Sequence, residues 1–354
     1  MLLIFAALLQ AVATLGAFDL RWLVSLETPP ATLPAYDAYT AYVPLRGGGL
    51  VAVDLDRGRI RWRRDVTASI APSSGDGLVF VVSEGVVQAL AADTGATRWQ
   101  TSLPGGLVTL TWDNAWLLCS NEAGDLAALR ASDGELVWRA TLGAVLVTSP
   151  AAGLDRVYAA LEGGRVVSLD LATGVLLWER TLSGRVTGLQ AADGQLIVGT
   201  TDNVVFSLDL VTGRQRWRWR IGGDAAGPAA SDDRHVYFAA RDNVLRAVDV
   251  RNGNLRWTAE LPSRPVGGPQ LLPGAVVVPL STSVATFDPA SGKAIGAIAA
   301  LGEMSGAPHI RPQARPTGAA LVALARDGRI QGFGLRYEEA PVRLETLPGQ
   351  VVSP

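Results

Sequence analysis

Thiol chemistry is almost missing from this chain. Cys119 is the only cysteine among 354 residues, which excludes an intramolecular disulfide and any multi-cysteine metal or redox centre. Its setting, AWLLCS, reads as a strand in which the thiol is a small hydrophobe. Lysine is nearly absent as well: Lys293 stands alone and the other basic residues are arginines, a bias we assign to genome composition. With 31 basic and 33 acidic residues the formal net charge is −2, and there is no basic stripe of the kind a nucleic-acid surface needs. The two histidines, His235 and His309, lie far apart and read as structural rather than as a metal pair. Helical periodicity is missing beyond residues 1–17, so no glycine-rich loop opening a helix is available to cradle phosphate. No Ser/His/Asp set can be argued from the spacing.

What is present is apolar and repetitive. Hydrophobic residues make up 48% of the chain and charged residues 18%, enough to bury a large core. Residues 1–17, MLLIFAALLQAVATLGA, carry Gln10 as their only strongly polar side chain. The run is short for a membrane span and resembles the apolar region of a secretory signal, with small-residue cleavage options after Ala13 or Ala17. It lacks both a basic leader and a cysteine for lipid attachment. We therefore expect export to the periplasm or another part of the cell envelope, with retention as an anchor as the alternative.

The main signal is a recurring segment of the form L-D-x-x-T-G-x-x-x-W. It reads VDLDRGRIRW at 53–62, LAADTGATRW at 90–99, LRASDGELVW at 129–138, LDLATGVLLW at 169–178, LDLVTGRQRW at 208–217 and VDVRNGNLRW at 248–257, with a degenerate copy, FDPASGKAIG, at 287–296. The turn glycines Gly58, Gly95, Gly134, Gly174, Gly213, Gly253 and Gly292 are spaced by 37, 39, 40, 39, 40 and 39 residues. A period near forty residues, each unit reading as four short strands, is that of a β-propeller. Each glycine fits a positive-φ position in the hairpin between strands three and four. The preceding Asp54, Asp170, Asp209, Asp249 and Asp288 are placed to accept turn amides. Ala91 and Arg130 stand at that position in repeats two and three, where Asp93 and Asp133 are expected to substitute. The tryptophans Trp62, Trp99, Trp138, Trp178, Trp217 and Trp257 recur in every full repeat, which marks them as packing wedges between blades rather than ligand contacts.

Seven glycines count seven blades, and a weaker eighth follows at GAALVALARDG and RIQGFGLR without a tryptophan-bearing fourth strand of its own. The missing strand lies at the other end: RWLVSL at 21–26 matches the fourth strands RWQTSL and RWTAEL, and Trp22 precedes Trp62 by one period. The chain is thus expected to form an all-β, eight-bladed propeller of four-stranded antiparallel blades over 18–336, closed by its N-terminal strand, with 337–354 as a surface tail. Closure removes exposed sheet edges. The degenerate seventh blade and the proline-rich Ala307–Pro316 stretch predict looser packing at the seam.

These residues resemble the tryptophan-docking repeat of the quinoprotein (PQQ-like) propeller family, over about 20–336. The resemblance implies one of two kinds of protein. One is a PQQ-dependent dehydrogenase, holding quinone and calcium at the ring centre, often beside a vicinal cysteine pair. The other is a non-catalytic envelope propeller of the BamB type, which serves outer-membrane protein assembly; sensor propellers carry related repeats. A lone Cys119 rules out the vicinal pair. The inner segments supply Ser, Thr, Gly and Gln rather than the carboxylates that a hard cation needs. The uniform spacing leaves no room for long insertions. We therefore expect a non-catalytic, monomeric scaffold without a cofactor. Its partners would be envelope proteins, peripheral membrane association is compatible with it, and nucleic acid is not. PQQ and calcium enter only under the dehydrogenase alternative, and a ligand-sensing propeller is the third reading. Trp112, Trp116 and Trp219 fall outside the docking position. The arginine-rich fourth strand holding Arg216, Arg218, Trp219 and Arg220 is a candidate partner surface, against the simpler reading in which Trp219 packs on the next blade and the arginines are solvated.

Overall fold

The computed structural model describes residues 18–153, 155–311 and 318–335. The hydrophobic leader at 1–17, the tail at 337–354 and half of the proline-rich stretch, 312–316, lie outside them. Alternating apolar runs of five or six residues, broken by glycine, Asx and Thr turns, build eight four-stranded antiparallel sheets. Blade 1 comprises Ala35–Tyr36, Thr40–Pro44, Leu50–Asp54 and Arg59–Arg64. Its pattern repeats through blade 7, which ends on Ala294–Ala299. Blade 8 takes His309–Ile310, Leu321–Leu324 and Arg329–Leu335 from one end of the chain and Phe18–Ser25 from the other. In that closure Phe18 pairs with Leu335 and Ser25 with Arg329, antiparallel, with an irregularity between Leu20 and Trp22.

First strands of successive blades touch one another and line the axis. Because strands alternate in direction, the turns between strands one and two share one face of the ring with the Asp/Gly turns between strands three and four. The connections between strands two and three share the opposite face with the links to the next blade. Middle strands are wholly buried, as in Val79–Val82 and Val157–Leu161, whereas fourth strands form the wet outer rim. This gradient explains the patterning: a middle strand covered on both sides reads as continuous Val, Ile and Leu, while a fourth strand buries little besides its tryptophan.

The core is divided among the blade interfaces, and each hydrophobic cluster joins two neighbouring sheets. At seven interfaces the indole of one blade lies against the turn glycine of the next. A Cβ built on Gly174, whose φ is +71°, would stand 2.5 Å from Trp138 Cε3. Glycine there therefore meets two demands at once, a left-handed backbone and contact with a ring face. Each indole Nε1 also donates across the interface, as Trp178 does to Leu210 O at 3.0 Å and Trp62 to Ala92 O at 2.9 Å. Trp22 closes the set by donating to Leu55 O of blade 1 at 3.1 Å while its ring covers Gly58.

The seam between blades 7 and 8 has no such dock. Gly296 stands where a tryptophan would be, and blade 8 has no covalent turn between its third and fourth strands. The looser packing expected there shows at the missing dock, where a Cβ on Gly296 would meet only Thr286 Oγ1, at 3.8 Å. Val277, Ile298, Met304, Leu321, Ala323 and Phe333 form a buried cluster across the seam. These aliphatic side chains and the Phe333 ring hold the seam without an indole.

Candidate binding surfaces

The motif aspartates act within their turns. Asp54 accepts from the amides of Asp56 and Arg57, both at 2.9 Å, and pairs with Arg61 at 3.0 Å. Asp209 and Asp249 repeat the arrangement with Arg216 and Arg256. The hydrogen bond from Arg216 and those from Thr212 hold the Asp209 carboxyl down to about 2. Asp133 accepts the Glu135 amide at 3.0 Å, while in the second repeat it is Thr94 whose hydroxyl takes the turn amide, at 3.3 Å.

Strong titration shifts elsewhere have structural causes. Asp125 is held down to about 2 by Arg139, Thr141 and Asn121, in that order, and braces the loop between strands two and three of blade 3. Burial pushes the Cys119 thiol up to about 12, so it is a packed hydrophobe and a poor nucleophile. His235 sits at the start of a second strand beside Tyr237, whose hydroxyl donates to Asp232 at 2.6 Å. His309 lies in the first strand of blade 8. Among the described residues no three His, Cys, Asp or Glu side chains gather where they could hold a metal ion.

The axial mouth on the turn face gathers residues from four blades. A cavity of about 500 Å³ is lined by Tyr36, Tyr39, Ser74, Trp112, His309 and Arg311, among others. Tyr36 and His309 stack with parallel rings 4.2 Å apart. Burial, helped by the nearby Arg311 charge, pulls His309 down to about 4, so its imidazole is neutral at physiological pH. Trp112 lies flat on Gly75, and its amide donates to the Ser73 hydroxyl at 2.8 Å. Arg311 is buried, pairs with Asp56 at 2.8 Å and donates to the carbonyls of Ala38, Leu55 and Ala319. Its guanidinium is thus spent on joining blade 8 to blade 1. The sequence did not single out Tyr36 or Arg311; an arginine inside a proline-rich stretch was the only available sign.

The candidate partner strand is divided in its use. Trp219 packs on Phe238 of blade 6, with ring centroids 6.4 Å apart, and Arg216 is paired with Asp209. Arg218 and Arg220 remain exposed.

Calcium and quinone were expected only under the dehydrogenase reading. The only thiol is buried, and no carboxylate cluster exists among the described residues to supply the oxygens of a hard cation. Neither group enters the chemistry drawn from the structure.

A family profile described as outer membrane protein assembly factor BamB matches residues 13–100, 83–186 and 162–331 in overlapping segments. The chain is 29% identical over 184 residues to the outer membrane protein assembly factor BamB of Nitrosomonas eutropha, covering 49% of this chain and 45% of that protein. It spans about half the length of the curated relatives it matches. Among solved structures, BamB from Moraxella catarrhalis superposes with a TM-score of 0.72 at 17% identity, covering 90% of this chain and all of the other. The quinohemoprotein alcohol dehydrogenase of Comamonas testosteroni gives 0.72 at 14%, over 97% of this chain and 79% of the other. These two likenesses speak to fold alone. The profile, which runs over nearly the whole ring, shows that the chain belongs to the BamB family of PQQ-like repeat propellers.

Proposed function

We propose that this chain is an exported, non-catalytic scaffold of the bacterial cell envelope, serving outer-membrane protein assembly by holding protein partners on its ring surface. The single observation that carries this reading is the family match over residues 13–331. The side-chain chemistry agrees with it. The motif aspartates are spent on turns and ion pairs, the imidazole of His309 is stacked and neutral, and the thiol is sealed in a strand. The ring can act as a rigid frame, because at seven interfaces an indole of one blade donates to the backbone of the next, and short loops project from both faces.

The test is chemical cross-linking in intact cells followed by affinity purification of the tagged full chain from the envelope fraction. Recovery of outer-membrane assembly proteins at fixed stoichiometry is the expected result. A clean ring with no cross-linked protein, or recovery in the cytoplasmic fraction, would overturn the reading. Calorimetric titration with PQQ and calcium is expected to show no saturable heat, and dye reduction with alcohols or sugars no activity above background.

A further inference from the structure

The repeat is its own control for deciding which surface residues the fold requires. The position just before the docking tryptophan holds Arg61, Arg98, Arg216, Arg256 and Arg21 in five blades. Where the motif aspartate is present, that arginine pairs with it, as in Arg61–Asp54, Arg216–Asp209 and Arg256–Asp249. Blades 3 and 4 break the rule in the same direction, with Val137 and Leu177. Asp170 in blade 4 keeps its turn contacts to Ala172 and Thr173 but faces a leucine where its counterparts have a guanidinium.

The departures fall on the rims of neighbouring blades. Leu136 and Val137 precede Trp138, whose ring covers Gly174, and Gly174 is followed by Val175, Leu176 and Leu177. Arg180 carries the surface on to blade 5, donating to the carbonyls of Thr212 and Gly213 next to Val211. Val175 is 59% exposed, Leu176 50% and Val211 53%, and Leu136, Val137 and Leu177 are also exposed. Six exposed aliphatic side chains thus line the rims of three successive blades, the kind of apolar surface that a partner covers. One border is basic. Arg214, Arg218 and Arg220 on the blade 5 rim are exposed and form no ion pair among the described residues.

We propose that the outer rim of blades 3 and 4, continued onto blade 5, is a docking surface for a polypeptide segment that presents an apolar stripe bordered by carboxylates. The proposal deepens the scaffold reading by naming one surface and the chemistry of its partner. The aliphatic side chains supply the desolvated centre, and the unpaired arginines select the acidic border.

The experiment uses the full chain and a fluorescein-labelled amphipathic peptide, with leucines at helical spacing and glutamates elsewhere, read by fluorescence anisotropy. A control peptide replaces the leucines with serines at the same charge. The variant L176T/L177R installs the Thr-Arg pair that blade 2 carries at 97–98 and gives Asp170 a guanidinium partner, so the fold is preserved; thermal unfolding verifies this. Expected results are binding of the leucine peptide at least tenfold tighter than the serine peptide, and at least a tenfold loss in L176T/L177R. R218S/R220S is expected to lose a few-fold in affinity and to flatten the salt dependence. Equal affinity of the two peptides, or an unchanged Kd in a folded L176T/L177R, overturns the proposal. So does a wild-type dimer in analytical ultracentrifugation that the same variant dissolves, since the patch would then be covered by a second copy. Peptide binding without any cross-linked envelope protein would keep this surface and refute the scaffold role, so the two failures are distinguishable.

Discussion

Seven of the eight blade interfaces are joined by an indole seated on a turn glycine, and the eighth is not. The seven docks combine a large apolar ring, a hydrogen bond to the neighbour's backbone and a backbone conformation that only glycine adopts without strain. The blade 7–8 seam relies on Ile298, Met304, Leu321 and Phe333 packing alone. The contrast teaches that the dock belongs to a continuous chain. It needs a covalent turn between strands three and four to hold the glycine, and blade 8 is split at that turn. The N-terminal strand closes the sheet and carries Trp22 onto blade 1, but it leaves the side facing blade 7 without a turn to receive an indole.

The sharpest way to break this comparison is to remove the closing strand. A chain lacking residues 18–26 loses Trp22 and exposes the Arg329–Leu335 edge, and it is expected to lose cooperative unfolding and to aggregate, as read by calorimetry and light scattering. Next in size is the loss of one indole. Trp178→Ala, at a fully formed dock, should cost about 3–5 kcal/mol in denaturant unfolding. Trp62→Ala, where the ring is half-buried, should cost less. A comparable loss for Ile298→Ala at the seam would show that aliphatic packing equals the dock.

Acid adds a third probe, on the blade 8 side. His309 titrates near 4 in the fold and near 6.5 when unfolded, because burial and the Arg311 charge disfavour its cation, against a smaller opposing pull from Asp37. Between these values the unfolded chain binds more protons, so stability rises with pH across roughly 4 to 6.5 and is lost as pH falls through that window. The full amplitude is about 3 kcal/mol. His309→Asn should flatten this slope in unfolding measured from pH 4 to 7, and a slope unchanged in the variant would assign it to other groups. The smallest effect sits in the seam itself. A Cβ on Gly296 meets only Thr286 Oγ1, at 3.8 Å, so Gly296→Ala should stabilise by about 0.5–1 kcal/mol through reduced unfolded-chain freedom.

Blade number, turn positions and the pairing of the two chain ends were legible because each rests on a local requirement repeated at fixed spacing. A glycine at positive φ, an aspartate two or three residues before the amides it accepts, and an indole four residues past the glycine all lie within one hairpin. What holds the seam was not legible, because its packing comes from strands remote in sequence, Ile298 beside Leu321 and Phe333, with no periodic mark. Trp219 bears out the simpler of its two readings, packing on Phe238 of the next blade.

The sequence by itself determined a closed ring of eight sheets, since short-range turn chemistry and a forty-residue period leave little else for the chain to form. Only the tertiary structure decided which side chains meet: Tyr36, Trp112 and His309 at the axial mouth, Arg311 reaching across 273 residues to Ala38, and the aliphatic rim of blades 3 to 5. The physical reason is that closing the ring makes neighbours of residues from different blades, and no local preference in the chain encodes that adjacency.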